Sequence, residues 1–355
     1  MADGAAIPAW WPVLGVAGFS GSGKTTLLEA VIPRLLARGW RVAVLKHDAH
    51  ALDVDRDGKD SARLFAAGAS VVVQSGAERF SRTHDGASDS LPDLLRPLVA
   101  AHDVVLVEGF KSAPGVPRVW LENDAARAEP MPLDVAPLAT IARNADRPAM
   151  LMQLLDDHLQ RAHQARPVFG AVLIGGASLR MGEPKHLLRR PDGTTLVEHA
   201  VRELQTVATR VVLLGAGEVP ASLAATPRLP DIADGREGPL AGVLAALRWQ
   251  PDAWWCVAPC DQPALGRELL TWLREQAATS VWAVAASIDG QAQPLPMLLD
   301  GRLRDVAGSL WQRGGRERSL RALLQAAPGA RITPLPDELR AQMRSVNTPA
   351  EWRGL

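Results

Sequence analysis

Leu173-Ile174-Gly175-Gly176-Ala177-Ser178-Leu179-Arg180-Met181-Gly182-Glu183-Pro184-Lys185-His186-Leu187-Leu188 is the segment around which the chain is organised. It completes an apolar run from Val168 to Ile174 that reads as a strand buried on both faces, the pattern of a parallel sheet. A glycine pair at the C-terminal tip of such a strand lets backbone N–H groups approach phosphate oxygens without a Cβ in the way. Arg180 and Lys185 then supply the positive charge that a triphosphate and its departing pyrophosphate require. The bland alternative is a strand-to-helix loop that happens to carry two cations.

Working outward, Pro191-Asp192-Gly193 is a turn and Thr194 is the expected cap of a helix over 196–207. Arg210 to Leu214 reads as a strand. The run Leu229-Pro230-Asp231 followed by Gly238-Pro239-Leu240-Ala241-Gly242 places a carboxylate just ahead of a glycine-bounded helix start. This D-x(6)-G-P-L-A-G run resembles the guanylyltransferase pattern, which implies that Asp231 accepts from the N1–H and N2–H2 edge of guanine or from ribose hydroxyls, while Gly238 and Gly242 allow close approach; a plain turn aspartate is the alternative. Ala253 to Ala258 reads as a strand delivering Asp261 ahead of Pro263. A carboxylate at that tip can hold Mg2+ against an α-phosphate or cap the helix expected from Ala264. Strands are expected over 280–285 and 293–299 and helices over 302–313 and 318–327. Arg344 to Val346 is expected to be a last strand, and Asn347-Thr348-Pro349 a helix start, with Asn347 either a cap or a contact to metal or nucleotide. Gln291, Gln293 and Arg316 are further candidates for contacts in this half.

From about Pro167 to the C-terminus these motifs resemble nucleoside-triphosphate transferases, and among them the molybdenum cofactor guanylyltransferases. The resemblance implies a Rossmann-like nucleotidyltransferase fold in which Leu173, Ile174, Gly175, Gly176, Lys185, Asp231, Gly238 and Asp261 bind GTP. It implies Lys185, Arg180 and Asp261 as the catalytic set, with Asp261 as metal ligand. Related enzymes often offer a polar side chain after the strand ending at Leu214; Ala216 stands there, so no contact carries over.

The first half opens on the apolar strand Val13 to Ala17 and runs into Gly18-Phe19-Ser20-Gly21-Ser22-Gly23-Lys24-Thr25-Thr26. Strand, glycine loop and helix-period sequence together make a P-loop: loop N–H groups cradle phosphates, Lys24 reaches the outer ones and Thr25 holds Mg2+. Gly21, Ser22, Gly23 and Thr26 complete that set. Further strands are expected over 41–45 and 70–74, with helices over 91–102 and 147–166. Asp103 to Glu108 is an apolar strand ending in a carboxylate, so Glu108 is expected in the metal shell or orienting a water. Between lies a polar loop with His47, His50 and Lys59-Asp60-Ser61; its histidines read equally as ligands and as solvated residues. Arg118 to Leu121 and Pro137 to Ala142 read as strands, and Asn144-Ala145-Asp146 after the second could read a guanine edge. In order, GFSGSGKTT, KHDAH, GKDSARLFAAGA and VVLVEGFK resemble the small GTP-binding adaptor protein of molybdopterin-guanine dinucleotide synthesis, over about Leu14 to Asp146. Only His50 follows in the loop that is richer in histidine in that family.

The expected architecture is therefore α/β throughout. An N-terminal P-loop GTP-binding adaptor domain covers residues 1–166. A nucleotidyltransferase domain covers 167–355, and both are mostly parallel sheets flanked by helices. Bulk properties agree with that: 355 residues are enough for two cores, and 47% apolar with 22% charged residues is ordinary for globular proteins. A net charge of zero argues against a broad nucleic-acid or membrane footprint. No apolar run has the roughly 20 residues of a membrane helix, and the N-terminus does not read as a signal peptide. Cys256 and Cys260 are too few thiolates for structural zinc, so a cytoplasmic, reduced protein is expected. The expected activity is transfer of GMP from GTP to molybdopterin with Mg2+ and loss of pyrophosphate, beside an accessory GTPase. Expected partners are GTP, molybdopterin, molybdenum-insertion and molybdoenzyme-maturation proteins in transient contact, and a second copy through the P-loop domain. A cytidylyltransferase of the same cofactor and a non-catalytic pterin carrier with a P-loop switch stay open.

Overall fold

The computed structural model describes residues 7–46, 60–68, 70–75, 78–82, 90–110, 114–123, 136–174, 184–231 and 238–353. The chain divides into two compact units, Met1–Leu159 and Gln160–Leu355.

The first unit runs β1 (Val13–Gly18), α1 (Lys24–Ala37), β2 (Val42–Lys46), α2 (Asp60–Ala66), β3 (Val71–Ser75), β4 (Glu78–Arg82), α3 (Leu91–Ala101), β5 (Val104–Glu108), β6 (Arg118–Leu121) and β7 (Ala139–Ile141). It ends within α4 (Arg147–Ala165), inside which the dividing line falls. Five strands form a parallel sheet in the order β2-β5-β1-β6-β7. β1 sits at its centre, and every one of its residues is buried. Leu14 and Val16 face Leu27, Val31, Leu151 and Leu155 of α1 and α4, whereas Val13, Val105 and Val107 face Leu95 and Val99 of α3. Burial on both faces explains why these strands read as unbroken apolar runs. The segment expected as a strand over 70–74 pairs only with β4, in a separate antiparallel hairpin outside the main sheet.

The second unit follows with β8 (Val168–Leu173), α5 (Leu196–Gln205), β9 (Arg210–Leu214), β10 (Arg228–Leu229), α6 (Pro239–Trp249), β11 (Trp254–Pro259) and α7 (Arg267–Glu275). It closes with β12 (Ala283–Ile288), β13 (Gln291–Asp300), α8 (Arg304–Arg313), α9 (Leu320–Ala326), β14 (Arg331–Pro334) and α10 (Pro349–Arg353). Its seven strands run β10-β9-β8-β11-β13-β12-β14, parallel except for β13, which is antiparallel to both neighbours. Val172, Cys256 and Ala258 turn one way onto α5 and α7, while Ala171, Trp255 and Val257 turn the other way onto α6, α8 and α9. From β8 the chain steps to β9 and β10 on one side, then returns to lay β11 on the other. The tips of β8 and β11 therefore flank the point where strand order reverses, and in open α/β sheets ligands bind there.

Three details differ from the expectations. α5 is capped by Thr195, not Thr194, because Thr195 accepts from the Glu198 N–H while Glu198 accepts from the Thr195 N–H, a reciprocal capping box. Asp192 holds Thr194 instead, through its N–H and hydroxyl. Residues 344–346 form no strand: Val346 gives its N–H to the carbonyl of Asp261, which lies beyond the end of β11. The helix after Asp261 starts at Arg267 with Gly266 as its cap, so Asp261 is not capping it.

A buried ion cluster is built at the opposite end of β13. The Asp300 carboxylate, fully buried, takes a forked pair from Arg166 at 2.6 and 2.8 Å and further bonds from Arg302. Burial pushes its carboxyl up, but the two guanidinium groups outweigh that and hold it at about 2. His163, in edge-on contact with Trp254, is held down to about 4 by burial and then by Arg166. Among the described residues no helix is long and apolar enough to cross a membrane.

Candidate functional site

Register sets three strand tips level at the C-terminal edge of the second sheet: Leu173 of β8 is flanked by Pro259 of β11 and Leu214 of β9. Ile174, buried, continues beyond β8 and donates its N–H to the Leu214 carbonyl at 3.0 Å. Gly175, Gly176 and Arg180 lie outside the described residues. The chain is described again from Pro184, and Lys185 opens a short 3-10 turn ending at Leu187. That turn is fixed by His186, which is buried and pairs through Nε2 with the Glu218 carbonyl at 2.8 Å. An oxygen without a proton can only accept, so this nitrogen carries the hydrogen.

The anchored turn points Lys185 at the tip of β11. Its Nζ donates to Asp261 Oδ2 at 3.2 Å and to Asn347 Oδ1 at 2.9 Å, and the lysine and aspartate side chains are about one-fifth exposed. Residues separated by 76 and 162 positions in sequence thus converge on one ammonium group. Two contacts brace the convergence. The Asp261 carbonyl takes the Val346 N–H at 2.9 Å. Gln262, buried, donates from Nε2 to the carbonyls of Leu295 and Met343 at 3.3 and 3.2 Å. Glu351 meanwhile accepts from the N–H groups of Asn347 and Thr348. Asn347 therefore turns its amide oxygen to Lys185, while Thr348 accepts the Glu351 N–H and caps α10. Cys260 adjoins this group, and burial, then the Asp261 carboxylate, push its thiol up to about 12, so it stays protonated and unreactive at neutral pH.

Asp231 stands on the same edge, two residues past β10. Its Oδ1 lies against Gly242 in α6, where a Cβ would come within 3.4 Å of that oxygen, 3.0 Å of Leu214 Cβ and 3.5 Å of Leu173 Cδ2. Gly242 is thus the seat on which helix, strand tips and carboxylate meet. Gly238 caps α6 with φ +139°, a backbone region open to glycine, and no side chain caps that helix N-terminus.

In the first unit the loop after β1 carries the other predicted group. Gly21 and Gly23 have φ of 74° and 83°, and α1 starts at Lys24 without a side-chain cap. Lys24 Nζ donates to the carbonyls of Gly18 and Phe19 at 3.2 and 3.0 Å. Thr25 Oγ1 donates to Glu108 Oε1 at 2.9 Å, so the P-loop hydroxyl and the carboxylate at the tip of β5 meet. Ser22 is buried beneath Gly18, where a Cβ would fall 2.6 Å from its Oγ. Thr26 lies in the first turn of α1. Asp146 is exposed and accepts the Ala149 N–H at 3.1 Å, the geometry of a helix cap. His47 and His50 lie outside the described residues. Among the described residues there is no cluster of three or more histidine, cysteine or acidic side chains that could hold a metal.

Sequence reasoning missed Gln262, and also Asn123 and Arg147, which donate to the carbonyls of Ser20 and Ser22 in the loop after β1; a motif reports side-chain types, and contacts to backbone carbonyls leave none to find.

The first half matches the family model of molybdopterin guanine dinucleotide synthesis protein B over residues 13–143. The second matches that of the MobA-like NTP transferase domain over residues 170–330. A molybdopterin-guanine dinucleotide biosynthesis adapter protein of Haemophilus influenzae is 45% identical over 123 residues, 34% of this chain and 68% of that protein. Its Escherichia coli counterpart is 38% identical over the same length, covering 70% of that protein and 34% of this chain. A Bacillus cereus protein described as a probable molybdenum cofactor guanylyltransferase is 32% identical over 159 residues, 44% of this chain and 78% of that one. With both halves matched in this way, the chain belongs to two families joined end to end: the molybdopterin-guanine dinucleotide biosynthesis adapter proteins in its first half, and the molybdenum cofactor guanylyltransferases, with their MobA-like NTP transferase domain, in its second.

Proposed function

We propose that this protein is a GTP:molybdopterin guanylyltransferase carrying its own GTP-binding adapter, with the P-loop domain over 1–166 and the transferase domain over 167–355. The observation that carries the reading is the convergence of Lys185, Asp261 and Asn347 at the point where strand order reverses. An oxygen of the terminal phosphate of molybdopterin attacks the α-phosphorus of GTP. The bond from that phosphorus to the β-phosphate oxygen breaks, and pyrophosphate leaves with the electron pair. Such a reaction needs alignment and charge neutralisation more than covalent help. Lys185, held by two oxygen acceptors from separate segments, faces the developing negative charge, and Arg180 is assigned to the departing pyrophosphate. Leu173 and Ile174 at the β8 tip, together with Gly175 and Gly176, are assigned to the phosphates. Asp231, seated on Gly242, reads the guanine or ribose, and Gly238 leaves room beside it.

The carboxylate of Asp261 and the amide oxygen of Asn347 are hard oxygen donors, a set that fits Mg2+. Asp261 would hold it there, and bound Mg2+ supplies charge neutralisation at the α-phosphate. In the first unit the Thr25 hydroxyl, beside Glu108, fits the same ion, and Lys24 with residues 21–26 takes the phosphates. That unit hydrolyses GTP slowly in support of cofactor handling. A second copy docks on it through the β3–β4 hairpin, where Val72 and Val73 are 65% and 41% exposed beside Leu64 at 56%. We place the work in the cytoplasm, in transient contact with molybdenum-insertion and molybdoenzyme-maturation proteins.

The test is pyrophosphate release from each nucleoside triphosphate, with and without molybdopterin. GTP with molybdopterin is expected to give release, and Lys185→Ala or Asp261→Ala to lower kcat by about 100- to 1,000-fold. Preference for CTP would make the protein a cytidylyltransferase, and cofactor binding without release would make it a carrier.

A further inference from the structure

Arg147 opens α4, and nothing in the neighbouring sequence marks it out. Its guanidinium spans three backbone carbonyls: Nη1 donates to Ser22 at 2.6 Å, Nη2 to Glu122 at 2.5 Å and Nε to Ala142 at 3.0 Å. Ser22 belongs to the loop after β1, Glu122 follows β6 and Ala142 follows β7, three strands that lie side by side. One planar cation thus ties the phosphate loop to two neighbouring strand tips, with Nη1 only 3.7 Å from where a Cβ on Gly23 would stand.

Peptide geometry turns that grip into an aim. In a trans peptide the C=O of one residue and the N–H of the next point in opposite directions. Holding the Ser22 carbonyl on Arg147 therefore turns the Gly23 N–H away from Arg147, and among the described residues that N–H makes no backbone bond. Asn123 repeats the device one step earlier, donating from Nδ2 to the Ser20 carbonyl at 3.4 Å and so turning the Gly21 N–H. With Lys24 on the carbonyls of Gly18 and Phe19, side chains hold the acceptors of residues 18, 19, 20 and 22. A loop whose carbonyls are held in this way presents its N–H groups to an anion.

Resting on the reading of the first unit as a nucleotide-binding P-loop, we propose that Arg147 is the positioning residue of that loop. It aims the Gly23 N–H at the phosphates and fixes a positive charge against the loop. The role is specific to arginine, because a lysine ammonium cannot span three carbonyls in one plane.

The full-length protein is titrated with mant-GTP, and the part of the signal lost in Lys24→Ala reports the P-loop. GTP, GDP and guanosine then compete for that part. Arg147→Ala is expected to weaken GTP and GDP by about 10- to 100-fold while leaving guanosine unchanged. Arg147→Lys, which keeps the charge and loses most of the grip, is expected to fall between; it carries the test alone if Arg147→Ala does not fold. Equal loss for guanosine, or Arg147→Lys binding like the wild type, overturns the positioning role. A wild-type protein with no Lys24-dependent signal overturns the nucleotide-binding reading itself and takes this proposal with it.

Discussion

Gly242→Ala separates packing from recognition in the transferase unit. In a helix interior, alanine in place of glycine is favoured by about 1 kcal/mol. Against that, the new Cβ would stand 3.0 Å from Leu214 Cβ and 3.4 Å from Asp231 Oδ1. Leu214 is buried at the tip of β9, and its Cβ moves only with the strand, so no rotamer change relieves the contact. Overpacking of this kind costs about 1–3 kcal/mol. The net expectation is a loss of about 1 kcal/mol, a fall of about 2–4 °C in Tm for a unit of this size. The functional effect is expected to be larger than the stability effect. Relief comes by lifting the first turns of α6 or pushing the Asp231 carboxylate aside by a few tenths of an ångström, and either displaces the acceptor we propose for the nucleoside. We expect KM for GTP to rise about tenfold, with kcat changed far less, since Lys185 and Asp261 are anchored elsewhere. Thermal denaturation and steady-state pyrophosphate release on the same preparation read both effects. A variant with raised Tm and unchanged KM would refute the argument, because alanine would then have been accommodated freely. Lowered Tm with unchanged KM would keep the packing and remove Asp231 from the nucleotide site.

Other consequences are open to measurement. Asp300→Ala leaves Arg166 and Arg302 without their shared acceptor and is expected to cost about 3–5 kcal/mol in urea unfolding; a loss under 1 kcal/mol would mean the cluster is solvated. His163 is held to about 4 against 6.5 for the free side chain. The unfolded chain therefore takes up its proton first as pH falls through 6.5, and stability should drop by about 2–3 kcal/mol by pH 4 and level off below. His163→Gln should flatten that window, and an unchanged profile would assign the slope to other groups. Asp300, held low at about 2, acts with the same sign in the window below: its stabilisation is whole above about pH 4 and disappears as pH falls toward 2. Thr195→Ala removes the capping box of α5 and should cost about 1 kcal/mol, whereas Thr194→Ala should cost little; the reverse ranking would contradict the cap assignment.

Two P-loop and transferase scaffolds were legible from residue order alone, because glycine loops at strand tips need particular residue types at fixed spacing. The apolar runs around Val13, Val104, Val168 and Trp254 announced strands buried on both faces, which only parallel sheets with two helical layers provide. Lys24, Thr25 and Glu108 were picked out for the same reason, but that Thr25 and Glu108 touch follows from β5 pairing with β1, which no motif states.

What tertiary structure alone decided is which distant groups meet. Nothing local to Lys185 names Asp261 and Asn347 as its acceptors; β11 beside β8 and the Val346 N–H on the Asp261 carbonyl bring them there. Spacing placed the cap of α5 at Thr194, one residue early, because both threonines fit the pattern and only Thr195 reaches the Glu198 N–H. Residues 344–346 were expected as a last strand, but Val346 gives its N–H to the Asp261 carbonyl in a loop instead of to a sheet. Arg147, Asn123 and Gln262 left no trace in sequence because their partners are carbonyls, which every residue has. Sequence specifies the chemical type of a side chain and the period of its burial; the position of a backbone oxygen relative to a distant guanidinium exists only once the chain has folded.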